Sequence, residues 1–186
     1  MLTKDEIQRN KESILELLAK SERAGTTRIM NWLERSDYFT APASTSYHGN
    51  FEGGLAAHSL KVYEGFARQV QHYGLNVPEE SRRFCGLLHD ACKIDFYVPN
   101  VLKGGKASDA KPYKVEDTFP VGHGEKSIML IQQRMDLTEQ EMCIIRWHMG
   151  PYDRSWEDYK DKVIKHCPEA VLFHHVDMDV SQFYGL

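Results

Sequence analysis

The sequence predicts an all-α domain with one small irregular or β-hairpin insert around residues 94–120. Three observations support this. Apolar residues recur at the three-and-four spacing of a buried helix face through most of the chain. Two Thr-x-x-Glu boxes, Thr3 with Glu6 and Thr138 with Glu141, stand where helices would begin. The helical period lapses between Ile94 and Pro120, where "FYVPNVL" and "PYKVEDTF" flank the glycine turn "KGGKASDAK". With 186 residues, a single domain spanning 1–186 is expected, long enough to bury a substantial core.

Each element follows from local chemistry. Behind the Thr3 box, Ile7, Ile14, Leu15 and Leu18 fall at helical spacing. A second helix over 27–36 presents Ile29, Trp32 and Leu33, and the Pro, Ser, Thr and Gly of 37–54 read as loop. Residues 55–73 form a strong amphipathic segment, with Leu55, Val62, Phe66 and Val70 near one stripe and Gly74 suited to stop it. A further helix is expected over 79–93, burying Phe84, Leu87, Leu88 and Ala91. After the insert, helices are expected over 124–134, 139–148, 155–166 and 169 to about 183, the last behind Pro168.

Composition narrows the classes. A chain that is 41% hydrophobic and 27% charged is ordinary globular material. The net charge of −4 gives no broad attraction to a nucleic-acid backbone or an anionic membrane, although it says nothing of where charge sits. No apolar run reaches the roughly 18 residues of a membrane span, so no membrane partner is expected. The charged start "MLTKDEIQRNKES" has no signal-peptide core. Cys85, Cys92, Cys143 and Cys167 form no CxxC pair and read as reduced core residues, which points to the cytoplasm.

The chemistry gathers on histidine and aspartate. Among nine histidines, His58 lies in the small and apolar "GGLAAHSLKV", and His89 with Asp90 ends an apolar run in "GLLHDACKID". His123 opens a helix in "PVGHGEKS", His148 closes one in "IIRWHMG", and Asp177 sits inside "VLFHHVDMD". His72 and His166 read as surface residues at helix ends. A buried carboxylate without a partner costs several kcal/mol, a large part of a domain's whole stability. Asp90 and Asp177 therefore call for cations, and a divalent metal shared with His58 and His89 would serve. Imidazole with carboxylate suits Mn, Fe, Co, Ni or Zn. On a continued helix Lys93 would share a face with His89 and Asp90 and meet a phosphate as a point charge, with backbone N–H groups near Gly124 beside it. Read singly, each histidine is more often a hydrogen-bonded core residue, and His89-Asp90 is also compatible with a helix end capped by Lys93. The case for a site rests on the set.

The order His58, His89-Asp90, Asp177 resembles that of the HD-domain superfamily of metal-dependent phosphohydrolases. "YHGNFEGGLAAHSL", "GLLHDACK", "VGHGEKS", "WHMG" and "PEAVLFHHVDMD" occur in the family's order, from about Tyr47 to Asp179. The nearest likeness is to small stand-alone HD hydrolases and to the HD module of bacterial 3′–5′ exoribonucleases. The resemblance implies an HD-domain-like helical bundle in which His58, His89, Asp90 and Asp177 hold one metal. In members with two ions Asp90 bridges to the second, for which His123 and His148 would be the further ligands. Lys93 would face the substrate phosphate, and His48 would line the same pocket. The chain departs from related binuclear members in having His148-Met149 where two histidines are common, and Cys92 where glycine is common. Asp177 is preferred to Asp179 by its spacing from "PEA".

The expected activity is hydrolysis of a phosphoester on a nucleotide or nucleic-acid end through a metal-activated water, with Asp90 and Lys93 catalytic. His123 or Lys126 would assist the leaving group, and His48, Lys93, Lys126 and Arg146 would bind substrate. The cofactor expected is a divalent ion (Mn, Fe, Co, Ni, Zn or Mg), one or two per chain. Three alternatives stay open. One is a 3′–5′ exonuclease or phosphodiesterase on short nucleic acid, guided by Lys103, Lys106, Lys111, Lys114, Lys126 and Arg146. Another is a non-catalytic metal- and nucleotide-binding sensor. The third is a structural helical domain with satisfied core histidines.

Overall fold

The computed structural model describes residues 1–106 and 108–186. Among the described residues, eight α-helices and one two-stranded hairpin make up a mostly-α fold with a small insert. In chain order the first helices are α1 (Lys4–Ala19), α2 (Thr26–Arg35), α3 (Gly54–Tyr73) and α4 (Glu79–Leu88). The hairpin strands β1 (Tyr97–Pro99) and β2 (Tyr113–Val115) follow, then α5 (His123–Gln132), α6 (Glu139–Trp147), α7 (Trp156–His166) and α8 (Pro168–Asp179). Both expected capping boxes form: Thr3 accepts from the Glu6 backbone and Thr138 from that of Glu141, while each glutamate reaches back to its threonine's N–H. Each box satisfies two of the donors that a helix start leaves without partners.

The core is built around α3, which packs on α1, α4 and α8. Phe66 of α3 meets Phe173 of α8 edge to face, with ring centroids 4.8 Å apart. Against α4, Gly86 allows a very close approach: a Cβ there would lie 2.5 Å from Tyr63 Cα. Fully buried Tyr38, from the loop after α2, donates its hydroxyl to the Leu87 carbonyl at 2.6 Å and so closes the far side of α4. Among the described residues, no helix is long and apolar enough to cross a membrane.

Two expected helices end early. The helix expected over 79–93 stops at Leu88. Asp90 leaves helical geometry (φ −97°, ψ 21°), and Ala91–Lys93 continue as a single 3₁₀ turn. Asp95 then takes a left-handed conformation, φ 52°, and turns the chain into β1. The last helix ends at Asp179 and passes into a π-helical turn over Val180–Tyr184. The insert is a true hairpin, antiparallel, with Tyr97 opposite Val115 and Pro99 opposite Tyr113.

Candidate metal centre

Five helix ends and faces converge on one spot. His58 comes from the first turns of α3, His89 and Asp90 from the end of α4, His123 from the start of α5, His148 from the end of α6 and Asp177 from α8. The close approach at Gly86 sets α3 on α4, and it brings His58 Nε2 to 3.2 Å from His89 Nε2. Asp177 Oδ1 lies 3.0 Å from His58 Nε2 and 4.0 Å from His89 Nε2. Asp90 Oδ2 lies 3.6 Å from His58 Nε2 and 3.5 Å from His89 Nε2.

The other ring nitrogens fix which edge each imidazole offers. Nδ1–H of His58 donates to the Leu186 carbonyl, that of His89 to Gly86 and that of His148 to Ile145, at 3.0, 3.0 and 2.7 Å. With the proton held at Nδ1, a neutral ring turns its bare Nε2 lone pair inward. Three such lone pairs face two carboxylates in a buried space. Among the described residues His148 Nε2 has no hydrogen-bond partner, and it stops 3.5 Å from Asp90 Oδ1. Buried acceptors aimed at acceptors are unfavourable unless a cation sits among them.

Protein cations meet only part of that need. Lys93 Nζ reaches Asp90 Oδ2 at 2.7 Å, and His123 Nε2 reaches Asp90 Oδ1 at 2.7 Å. Burial pushes the Asp90 carboxyl up, but the charge of Lys93 and the hydrogen bond from His123 outweigh it and hold the group well below the usual carboxylate range. For Lys93 burial favours the neutral amine, yet Asp90 prevails and keeps the ammonium charged.

The donor set fits a metal. His58, His89 and Asp177 present ligand atoms within 4.8 Å of one another, and so do His89, Asp90 and His148. Atoms bonded at about 2.0–2.3 Å to one ion have this mutual spacing. Asp90, Cys92 and His123 form a third group. Burial raises the Cys92 thiol to about 12, so it is protonated at neutral pH.

A cavity of about 530 Å³ opens over this floor, with Asp90, Lys93, His123 and Asp177 in its lining. His48 also lines it, its ring 5.3 Å from that of His58, and burial followed by Lys93 lowers its pKa to about 4. Of the expected substrate contacts, Lys126 and Arg146 are not in the lining. Lys126 is tied to Asp117 at 2.6 Å and lies over the Phe96 ring, and Arg146 is held by Glu125 at 2.6 Å and Asp153 at 2.8 Å. Both cations are spent on neighbouring carboxylates. Sequence reasoning passed over His174, which is buried and lines the cavity beside Asp177. Its position three residues before Asp177, on one helix face, was the available signal. No family model, no curated protein and no solved structure matches this chain.

Proposed function

We propose that this chain is a metal-dependent phosphohydrolase of the HD-domain kind, acting on a phosphoester of a nucleotide or nucleic-acid end. One observation supports the reading above the others: three buried imidazoles, pinned through Nδ1–H to backbone carbonyls, turn bare Nε2 atoms toward Asp90 and Asp177. A satisfied structural core has no use for that arrangement. His58, His89, Asp90 and Asp177 would hold one divalent ion, and His148, His123 and Asp90 are the groups left for a second. When bound, such an ion supplies Lewis acidity and an acidified water.

The chain's own residues do the rest. Lys93 is a fixed ammonium in the cavity wall, placed to neutralise charge that grows on phosphoryl oxygens. Asp90 anchors Lys93 and His123 together and orients the attacking water. His123, which faces the cavity where Lys126 does not, is the group to hand a proton to the departing oxygen. Lys93 is the single lysine or arginine in the lining, while the hairpin lysines lie outside it. This favours a small nucleotide with one phosphate over a strand.

The test is elemental analysis of the purified protein, with a screen of phosphomonoesters and phosphodiesters under Mn, Co, Ni and Mg. Stoichiometric metal and hydrolysis are expected, and Asp90→Ala should lose both. Full activity in a metal-free Asp90→Ala protein would sink the proposal.

A further inference from the structure

The cavity is graded from floor to rim. Its floor holds the buried pair Lys93 and Asp90, 8% and 2% exposed. Its rim carries Tyr152 and Tyr47, 66% and 82% exposed. His174, 8% exposed, is tied to both levels: its ring N–H bonds the carbonyl of His148, one of the clustered histidines, and its ring lies 6.2 Å from that of Tyr152 at the rim.

The His174 ring is held firmly. Nδ1–H donates to the His148 carbonyl at 2.8 Å. Gly150 packs against the ring face, where a Cβ would come within 2.7 Å of two ring atoms, and its φ of +49° also favours glycine. The tautomer is thereby set, with Nδ1 committed to that carbonyl and Nε2 left as the ring's acceptor nitrogen. A buried ring in a cavity wall thus offers one acceptor to whatever enters. Along α8 and its π-helical extension, His174, Asp177, Met178, Ser181 and Gln182 form one stripe of lining residues. His174 is one turn from Asp177, so their Cβ atoms stand about 5–6 Å apart.

Resting on the hydrolase reading of the same floor, we propose that His174 Nε2 accepts a hydrogen bond from a sugar hydroxyl of the substrate, while Tyr152 packs on the base. The substrate is then a ribonucleoside monophosphate, lying with phosphate at Lys93, sugar at His174 and base at the rim. His174 is a specificity residue in this arrangement. It donates nothing to the chemistry.

The test uses the full chain with Mn²⁺ added and compares adenosine 5′-monophosphate with its 2′-deoxy and 3′-deoxy analogues, by kcat/KM and separately by binding titration. Loss of one hydroxyl should cost the wild type roughly tenfold, the scale of one neutral hydrogen bond. In His174→Phe that ratio should collapse toward one, with metal content retained as evidence that His148 has not moved. Tyr152→Ala, an exposed site that does not threaten folding, should erase the preference for adenosine 5′-monophosphate over ribose 5-phosphate. Equal treatment of ribo and deoxy substrates by the wild type, or a penalty that persists in His174→Phe, would overturn the inference. A wild type that hydrolyses simple phosphomonoesters without hydroxyl preference defeats this inference alone. A wild type that binds with the preference but turns over nothing defeats the hydrolase reading alone.

Discussion

Among the described residues, two largely buried clusters of charge are built on opposite principles. Around Arg23 each carboxylate is matched. The guanidinium grips Glu141 with two hydrogen bonds, at 2.7 and 2.8 Å, and Glu80 with two more, at 3.0 and 2.7 Å. Ser21 caps the free oxygen of Glu80, and the Thr138 N–H donates to Glu141 Oε2, which also accepts from Arg23. Phe84 covers the guanidinium face at 4.7 Å. Around Asp90 the count does not balance: two carboxylates and three bare imidazole nitrogens share one lysine and His123. A structural ion cluster closes on itself, whereas a site leaves acceptors for something the chain does not supply.

That contrast can be broken by experiment. The largest effect is expected at Arg23. Arg23→Met leaves Glu141, which is fully buried, without its cation, and unfolding in urea should show a loss of about 3–5 kcal/mol with metal content unchanged. A loss under about 1 kcal/mol would mean that the matched cluster does not hold α4 and α6 together.

The next effect sharpens the other side. Gly86→Ala forces a Cβ against the Tyr63 backbone, and the overpacking should cost about 1–3 kcal/mol. Because the same contact sets His58 against His89, metal affinity should fall in parallel, as read by titration with Mn²⁺ or Co²⁺. Retained affinity would show that the α3–α4 spacing does not govern the site.

The smallest effect is one of pH. Burial raises the Glu141 carboxyl, but Arg23, the Thr138 N–H and Ser81 outweigh it and lower the group below its ordinary 4.5. A depressed folded value means that the contribution to stability is complete above pH 4.5 and is lost as pH falls through the folded pKa. The stability gap between wild type and Arg23→Met should therefore narrow below pH 4.5, measured by unfolding at a series of acid pH values. A gap constant down to pH 3 would remove Glu141 titration from the account.

Much of the fold was legible along the chain. The two Thr-x-x-Glu boxes, the stripe from Leu55 to Val70 and the lapse of period before β1 and β2 are local patterns, and each produced its element. The break after Leu88 was not legible, since "HDACK" continues an acceptable helical sequence and only its surroundings turn Asp90 out of it. At the site, His58, His89, Asp90, His123, His148 and Asp177 do come together, while Lys126 and Arg146 are drawn away by Asp117, Glu125 and Asp153. A charged side chain has several carboxylates to choose from, and spacing along the chain does not say which one wins.

The sequence by itself determined where helices start, which faces they bury and which residue types could bind a metal. These depend on backbone hydrogen bonds and side-chain periods that act within a turn or two. Only the tertiary structure decided that Arg23 would meet Glu141 across 118 residues and that the Leu186 carbonyl would set the edge His58 offers, whereas the Gly86 and Ile145 carbonyls hold His89 and His148 from one turn back. It likewise decided that Gly150 would pack on the His174 ring and that the ring's Nδ1–H would donate to the His148 carbonyl. Such outcomes depend on how closely whole helices approach, and that distance is set by packing between residues that are remote in the chain.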